Sequence, residues 1–233
     1  MNKEEFISEI KKLQIDITAD ILKKLDIYYH LLSQENQKYN LTAITEEKEV
    51  YLKHFYDSLT IIKSVKLNNQ KILDIGTGAG FPGMVLKIFF PNLKIDLLDA
   101  TTKKCQFLNL VIKELALQDI NVINCRAEEY TKKVREHYDI VTSRAVAPLK
   151  HLLEYSISAL KVDGYFVALK SNLTDDLKNI SNYYQKLFLA DENIITFTLP
   201  IENSQRSIYR IQKTKPTNLI YPRVYSQIKK KEI

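Results

Sequence analysis

The sequence contains no tryptophan, two cysteines, two methionines and five glycines in 233 residues. Cys105 and Cys125 form no CxxC pair and have no histidine cluster beside them, which excludes a disulfide framework and a zinc-binding pattern. Both are expected to be reduced core residues. The four histidines, His30, His54, His137 and His151, share no metal-ligand spacing, so no metal is expected. Long apolar runs are also missing: Met84–Pro91 comes nearest, and Lys87 interrupts it well short of the roughly 18–20 residues that cross a bilayer. Met1–Lys12 mixes Glu4, Glu5, Glu9, Lys3, Lys11 and Lys12 with apolar residues instead of the core of a secretory signal. The expectation is a soluble, cytoplasmic, monomeric protein with no membrane partner.

What is present is an ordinary folding composition, 45% hydrophobic and 27% charged, in a chain long enough for one sizeable core. Its net charge of +6 is unevenly distributed. Residues 1–70 carry 10 basic against 11 acidic side chains and residues 71–200 carry 16 against 15, whereas residues 201–233 carry 8 against 2. A basic end suits a polyanion such as nucleic acid; a merely solvated tail is the competing reading.

Phe6, Ile10, Leu13, Ile17, Ile21, Leu25, Tyr28 and Leu32 recur at helical spacing, which predicts two amphipathic helices with a break near Ile15–Thr18. A third helix is expected over Glu46–Ile62, with Thr45 as its N-cap. From Lys71 the pattern becomes short apolar strands, Ile72–Ile75, Lys94–Leu98, Asn121–Asn124, Asp139–Thr142 and Tyr165–Leu169. Helices are expected between and after them near 82–90, 101–116, 127–135, 148–160 and 174–189. Such alternation predicts an α/β fold, a doubly wound parallel sheet with right-handed crossovers. Asn193–Leu199 and Ser207–Gln212 would add an antiparallel edge. The expected organisation is a helical cap over 1–65, a ligand-binding α/β domain over 66–215 and a basic tail over 216–233.

Four of the five glycines lie in Leu73-Asp74-Ile75-Gly76-Thr77-Gly78-Ala79-Gly80-Phe81-Pro82-Gly83, directly after the first strand. Glycine there permits close backbone approach to a ligand at the carboxyl end of a strand, and Pro82 suits the first turn of the following helix. A dinucleotide fingerprint would place glycine at the position of Phe81, so a pyrophosphate is disfavoured. The spacing Asp74-x-Gly76-x-Gly78-x-Gly80 instead resembles the first motif of S-adenosylmethionine methyltransferases. Asp99, at the end of the second strand, is placed to accept hydrogen bonds from ribose hydroxyls, a role that would serve NAD equally. Ala127 and Glu128 follow the third strand, where an adenine is contacted in such enzymes.

Beyond this loop, Asn40-Leu41-Thr42-Ala43-Ile44, Lys53-His54-Phe55-Tyr56-Asp57-Ser58-Leu59 and Thr142-Ser143-Arg144-Ala145-Val146-Ala147-Pro148 resemble the RsmG (GidB) family of bacterial 16S ribosomal RNA guanine-N7 methyltransferases. The resemblance runs from about Tyr39 to Arg223. It implies an S-adenosylmethionine site around Gly76, Phe81, Ala127, Glu128 and Arg144, and 16S ribosomal RNA or the small ribosomal subunit as partner. The sequence departs from the family's pattern at Val224-Tyr225-Ser226-Gln227-Ile228, where a glycine and a proline are usual.

Guanine N7 carries an in-plane lone pair, so its methylation demands alignment and electrostatics rather than a base. Thr142-Ser143-Arg144-Ala145 accordingly lacks both the Asn/Asp-Pro-Pro-aromatic signature of exocyclic amino methylation and a nucleophilic cysteine. Arg144 is the candidate catalytic residue, open to contact with cofactor, guanine or phosphate. Asn40, His54, Lys170 and Arg223 are candidate RNA contacts, and Asp74 and Gly78 complete the expected cofactor set. The basic tail is expected to serve RNA while leaving cofactor affinity nearly unchanged. The competing functions are a non-catalytic RNA-binding module, an NAD-dependent oxidoreductase and a small-molecule methyltransferase.

Overall fold

A computed structural model describes residues 1–144 and 147–233; Ala145 and Val146 of the Thr142–Pro148 motif lie outside the described residues. Helix α1 (Lys3–Lys12) begins with a reciprocal capping box between Asn2 and Glu5 and buries Phe6 and Ile10. Helix α2 (Ala19–Tyr39) is capped by Thr18, whose hydroxyl accepts from the Ile21 amide, and buries Leu25, Tyr28 and Leu32. The expected break between them is present.

The third helical run departs from expectation. It comprises α3 (Glu47–Glu49), a π-helical stretch (Val50–Tyr56), α4 (Asp57–Leu59) and a 3-10 turn (Thr60–Lys63). Glu46, not Thr45, occupies the N-cap position, and no side chain caps it. In the π stretch every residue except Lys53 is buried, His54 among them. Wide turns of this kind are rare in helices and frequent at functional sites.

The α/β part contains β1 (Lys71–Ile75), α5 (Gly83–Phe89), β2 (Lys94–Asp99), α6 (Thr102–Glu114), β3 (Ile120–Asn124), α7 (Ala127–Lys133) and β4 (Tyr138–Arg144). It continues with α8 (Leu149–Ser156), β5 (Leu160–Lys170), α9 (Ser181–Leu187), β6 (Leu189–Thr198) and β7 (Gln205–Lys213), followed by α10 (Tyr225–Lys230). The strands form one sheet in the order β3-β2-β1-β4-β5-β7-β6. All neighbours are parallel except β5–β7 and β6–β7, which supply the antiparallel edge. Side-chain alternation divides the sheet: Ile72 joins the apolar cluster under α1, α2, α5 and α6, while Leu73 joins the one under α8, α9 and α10. Strand order reverses between β1 and β4, and a ligand crevice opens at such a switch point.

The helix expected over 174–189 is reduced to Ser181–Leu187. Upstream of it, Asn172 accepts from the Thr174 amide and Asp176 from the Leu149 amide, so short polar side chains compete for backbone partners and leave turns. β5 starts at Leu160, well before the expected Tyr165. No helix among the described residues is long and apolar enough to cross a membrane.

Candidate active site

A cleft of about 560 Å³ opens at the carboxyl ends of β1, β2 and β4. Its floor is the glycine loop, in which Gly76, Gly78 and Gly80 have φ of 66°, 62° and 106°. Those angles lie where a side chain is strained, and they turn the loop back so that the Gly76 and Thr77 amides donate to the Leu98 carbonyl on β2. Gly80 is also held by lack of space: a Cβ there would stand 2.5 Å from the Tyr28 hydroxyl. That hydroxyl donates to the Ala79 carbonyl, so α2 supports the loop from below.

Asp74 does not line this cleft. Its carboxylate is fully buried beneath the loop, where Oδ2 accepts from Thr77 Oγ1 at 2.7 Å and from the Gly83 amide at 2.8 Å. Burial pushes its pKa up to about 6, against the downward pull of those two hydrogen bonds. From this position Asp74 shapes the loop from beneath and does not itself face the cleft, unlike the direct contact expected from the sequence. Asp99 does face the cleft, with Oδ2 accepting from the Gly78 amide at 3.0 Å and Oδ1 from the Thr101 amide at 2.8 Å. Each carboxylate oxygen keeps acceptor capacity for another donor. Ala127 and Glu128 open α7 on the same cleft, behind the N-cap residue Arg126, which makes no side-chain cap bond.

The opposite wall is built around Phe81. The His54 ring stacks on it at 4.3 Å between centroids, the Arg144 guanidinium lies 5.0 Å from its centroid, and Tyr28 stacks at 5.5 Å. Arg144 ends β4 and reaches back to the helical run: Nη1 donates to the Lys53 carbonyl at 2.9 Å and lies 3.5 Å from Asp57 Oδ2, while Nη2 is 3.1 Å from His54 Nδ1. His54 Nε2 is 2.9 Å from Thr42 Oγ1. Burial, reinforced by Arg144, pulls the pKa of His54 down to about 3, so its ring is neutral near pH 7. Asp57 is pushed up by burial even though Arg144 and Arg206, whose Nε is 3.4 Å from Oδ1, oppose it.

One cleft therefore brings together Gly76, Gly78, Phe81, Asp99, Ala127, Glu128, Arg144 and His54. Other candidates lie outside it. Asn40 is the exposed left-handed C-cap of α2, with φ of 50°, while its neighbours Leu41 and Thr42 reach the cleft. Lys170 donates to the Ala147 carbonyl and pairs with Asp176 at 2.9 Å beside a separate cavity of about 260 Å³, which Arg144 and His54 also line. Arg223 is held by Glu154, a fully buried carboxylate that accepts from its amide, Nε and Nη2. Cys105 is buried as expected, but Cys125 is half-buried and lines the cleft.

The sequence reading missed Thr42, Tyr155 and Tyr225, which come from three distant segments to line the same cleft. Tyr225 belongs to the basic tail, so the tail is not independent of the cleft. Only the position of Thr42, inside Asn40–Ile44, gave a signal for its inclusion.

The family described as GidB, rRNA small subunit methyltransferase G, matches residues 21–208. Ribosomal RNA small subunit methyltransferase G of Mycoplasma capricolum is 45% identical over 215 residues, which cover 92% of each chain. The protein of that name from Bacillus subtilis is 43% identical over 227 residues, covering 96% of this chain and 95% of its own. Among solved structures, a SAM-dependent O-methyltransferase from Thermotoga maritima superposes with a TM-score of 0.55 at 14% identity, over 80% of this chain and 72% of that one. Precorrin-6y C5,15-methyltransferase from Geobacter metallireducens gives 0.53 at 15% identity, over 68% and 87%. At such identities the two structures speak to the methyltransferase fold alone.

Proposed function

The chain belongs to the GidB family, rRNA small subunit methyltransferase G; we propose that it methylates guanine N7 in 16S ribosomal RNA, with S-adenosylmethionine, held in the 560 Å³ cleft, as methyl donor. The observation that carries this reading is the Asp99 carboxylate, oriented by the Gly78 and Thr101 amides at the lip of a glycine cradle. It is a fixed acceptor pair suited to the two hydroxyls of a ribose, and the open α7 N-terminus at Ala127 and Glu128 lies beside it for the base. Phe81 stands where a dinucleotide fingerprint has its third glycine, which disfavours a pyrophosphate on this loop.

When bound, this cofactor supplies an electrophilic methyl group on a sulfonium sulfur. The protein's part is to align and to exclude water. Gly76 and Gly78 let the backbone approach the ligand, and His54 and Arg144, which line both, form the wall between the cleft and the 260 Å³ cavity, with Phe81 packed against them on the cleft side. A target guanine would enter from that side. Because N7 needs no deprotonation, the neutral His54 is consistent with a wall residue and is not required as a base. Arg144, held among Asp57, His54 and Lys53, supplies a fixed positive potential at the boundary. We assign residues 1–65 to a cap over the site, 66–215 to cofactor binding and chemistry, and 216–233 to the basic tail that meets RNA.

The test is transfer of a radiolabelled methyl group to small ribosomal subunits that lack the modification, followed by mapping of the labelled nucleotide. Label at a guanine N7 of 16S ribosomal RNA is expected. Label on another base, or none while the cofactor binds, would overturn the assignment of this site to that reaction.

A further inference from the structure

The last thirteen residues carry basic side chains, yet they are fastened to the body of the protein by interactions that a solvated tail does not make. Arg223 grips the buried Glu154 carboxylate through Nε and Nη2, both at 2.7 Å. Arg135 donates to the Tyr221 carbonyl at 2.8 Å and to that of Thr217 at 2.6 Å. Ile228 and Ile233 are buried in the apolar cluster beneath α8 and α9. This fastening sets Tyr225 on the cofactor cleft, with the Arg126 guanidinium 5.3 Å from its ring centroid.

Arg126 precedes Ala127 and Glu128, so Tyr225 stands at the end of the cleft that the cofactor reading gives to the base. The residue is 39% exposed, with Arg126 and Lys229 as cationic neighbours at 5.3 and 5.4 Å from its ring centroid, and the part that faces the cleft is apolar area that a flat partner would cover. We propose that Tyr225, latched in place by the Arg223–Glu154 pair, is a cofactor-binding residue that closes the cleft on the purine ring of a nucleoside. The proposal rests on the cofactor reading above and assigns the tail a second task beside RNA.

The chain has no tryptophan, so Tyr225→Trp introduces a single tryptophan at the proposed contact, which can be excited beyond the absorption of the remaining tyrosines. Titration with S-adenosylhomocysteine should change its emission along the same saturation curve that calorimetry gives for binding. Tyr225→Ala should weaken binding of both S-adenosylhomocysteine and adenosine roughly ten-fold, the scale of one lost base–aromatic contact. Tyr225→Phe should bind like the parent. Because Tyr225 is partly exposed, these variants should fold, which a cooperative urea transition checks. Unchanged emission at calorimetric saturation, or parental affinity in Tyr225→Ala, would overturn the proposal. If the parent binds no S-adenosylhomocysteine, the cofactor reading falls with it. If the parent binds but leaves ribosomal RNA unmethylated, the substrate reading fails and the Tyr225 contact stands.

Discussion

Arg144 Nη2 lies 3.1 Å from His54 Nδ1, and this contact determines where the imidazole keeps its proton. A guanidinium only donates, so Nδ1 accepts and the proton sits on Nε2, directed at Thr42 Oγ1 2.9 Å away. The Lys53 carbonyl, 3.2 Å from Nδ1, is instead served by Arg144 Nη1 at 2.9 Å. Three segments of chain are thereby locked around Phe81 by one arginine and one neutral histidine.

The first prediction concerns pH. His54 titrates at about 3 in the folded protein and near 6.5 when unfolded, so its contribution to stability is full above the unfolded value and is lost as pH falls toward about 3. Asp74 acts in the opposite sense: its pKa, raised to about 6, makes burial costly above that pH, and the cost is relieved on acidification toward about 3.8. Comparing His54→Asn with the parent cancels the Asp74 part, and Asn keeps an acceptor for Arg144. Urea unfolding between about pH 7 and pH 4 should show a smaller loss of stability in His54→Asn. Equal losses would mean that His54 is protonated in the folded protein.

The glycine loop yields a contrast between two neighbours. At Gly78, with φ of 62°, an added Cβ would meet only the Gly76 carbonyl oxygen at 3.9 Å. At Gly80 it would collide with the Tyr28 hydroxyl and crowd Leu108 and Met84 at 3.0 Å. Gly78→Val should therefore fold cooperatively, at a backbone cost of about 1–2 kcal/mol, and lose cofactor binding as the side chain fills the cradle. Gly80→Ala should show its main effect in thermal stability, through displacement of α2. Calorimetry and melting curves on both variants would separate the effects, and intact cofactor affinity in Gly78→Val would remove the loop from the site.

Much of this arrangement was legible in the sequence because it is local. The strands from Ile72 to Thr142 follow from apolar runs, and the loop from its glycines. His54 could be nominated but not placed, because a π-helical stretch turns its ring onto Phe81, and spacing rules for ordinary helices do not foresee one. Tyr28 and Tyr225 lie nearly two hundred residues apart, yet both serve the site. Neither carries a local signal: one reads as an α2 core residue and the other as part of a basic tail. Arg223 read as a phosphate ligand because its partner Glu154, sixty-nine residues earlier, looks from the sequence like any helix surface carboxylate.

Arg144 provides the direct test of the wall. Lysine has one ammonium group on a flexible stem, and it cannot serve the Lys53 carbonyl, His54 Nδ1 and Asp57 with the planar fork of arginine. Arg144→Lys should leave S-adenosylhomocysteine affinity near the parental value while kcat/KM for ribosomal RNA falls by about 1.5–3 kcal/mol in transition-state stabilisation, roughly ten- to a hundred-fold. A parental kcat/KM would make Arg144 an architectural residue only.

The tail separates fastening from RNA attraction. Arg223→Met removes the partner of a fully buried carboxylate and should destabilise the protein by about 3–5 kcal/mol, with much of that loss recovered in the double variant Arg223→Met/Glu154→Met. Lys229, Lys230 and Lys231 are exposed on or just beyond α10 and make no ion pair among the described residues, Lys229 lying 5.4 Å from the Tyr225 ring centroid, so no carboxylate competes with phosphates for their charges. Replacing the three by glutamine should leave the melting temperature in place. It should also flatten the dependence of log affinity for 16S ribosomal RNA on log salt by about 2, at roughly 0.7 per released counterion on single strands. Arg223 already has its counter-charge in Glu154, so the Arg223→Met/Glu154→Met pair should leave that slope unchanged. A slope that fell with Arg223 and stayed constant without the three lysines would reverse these assignments.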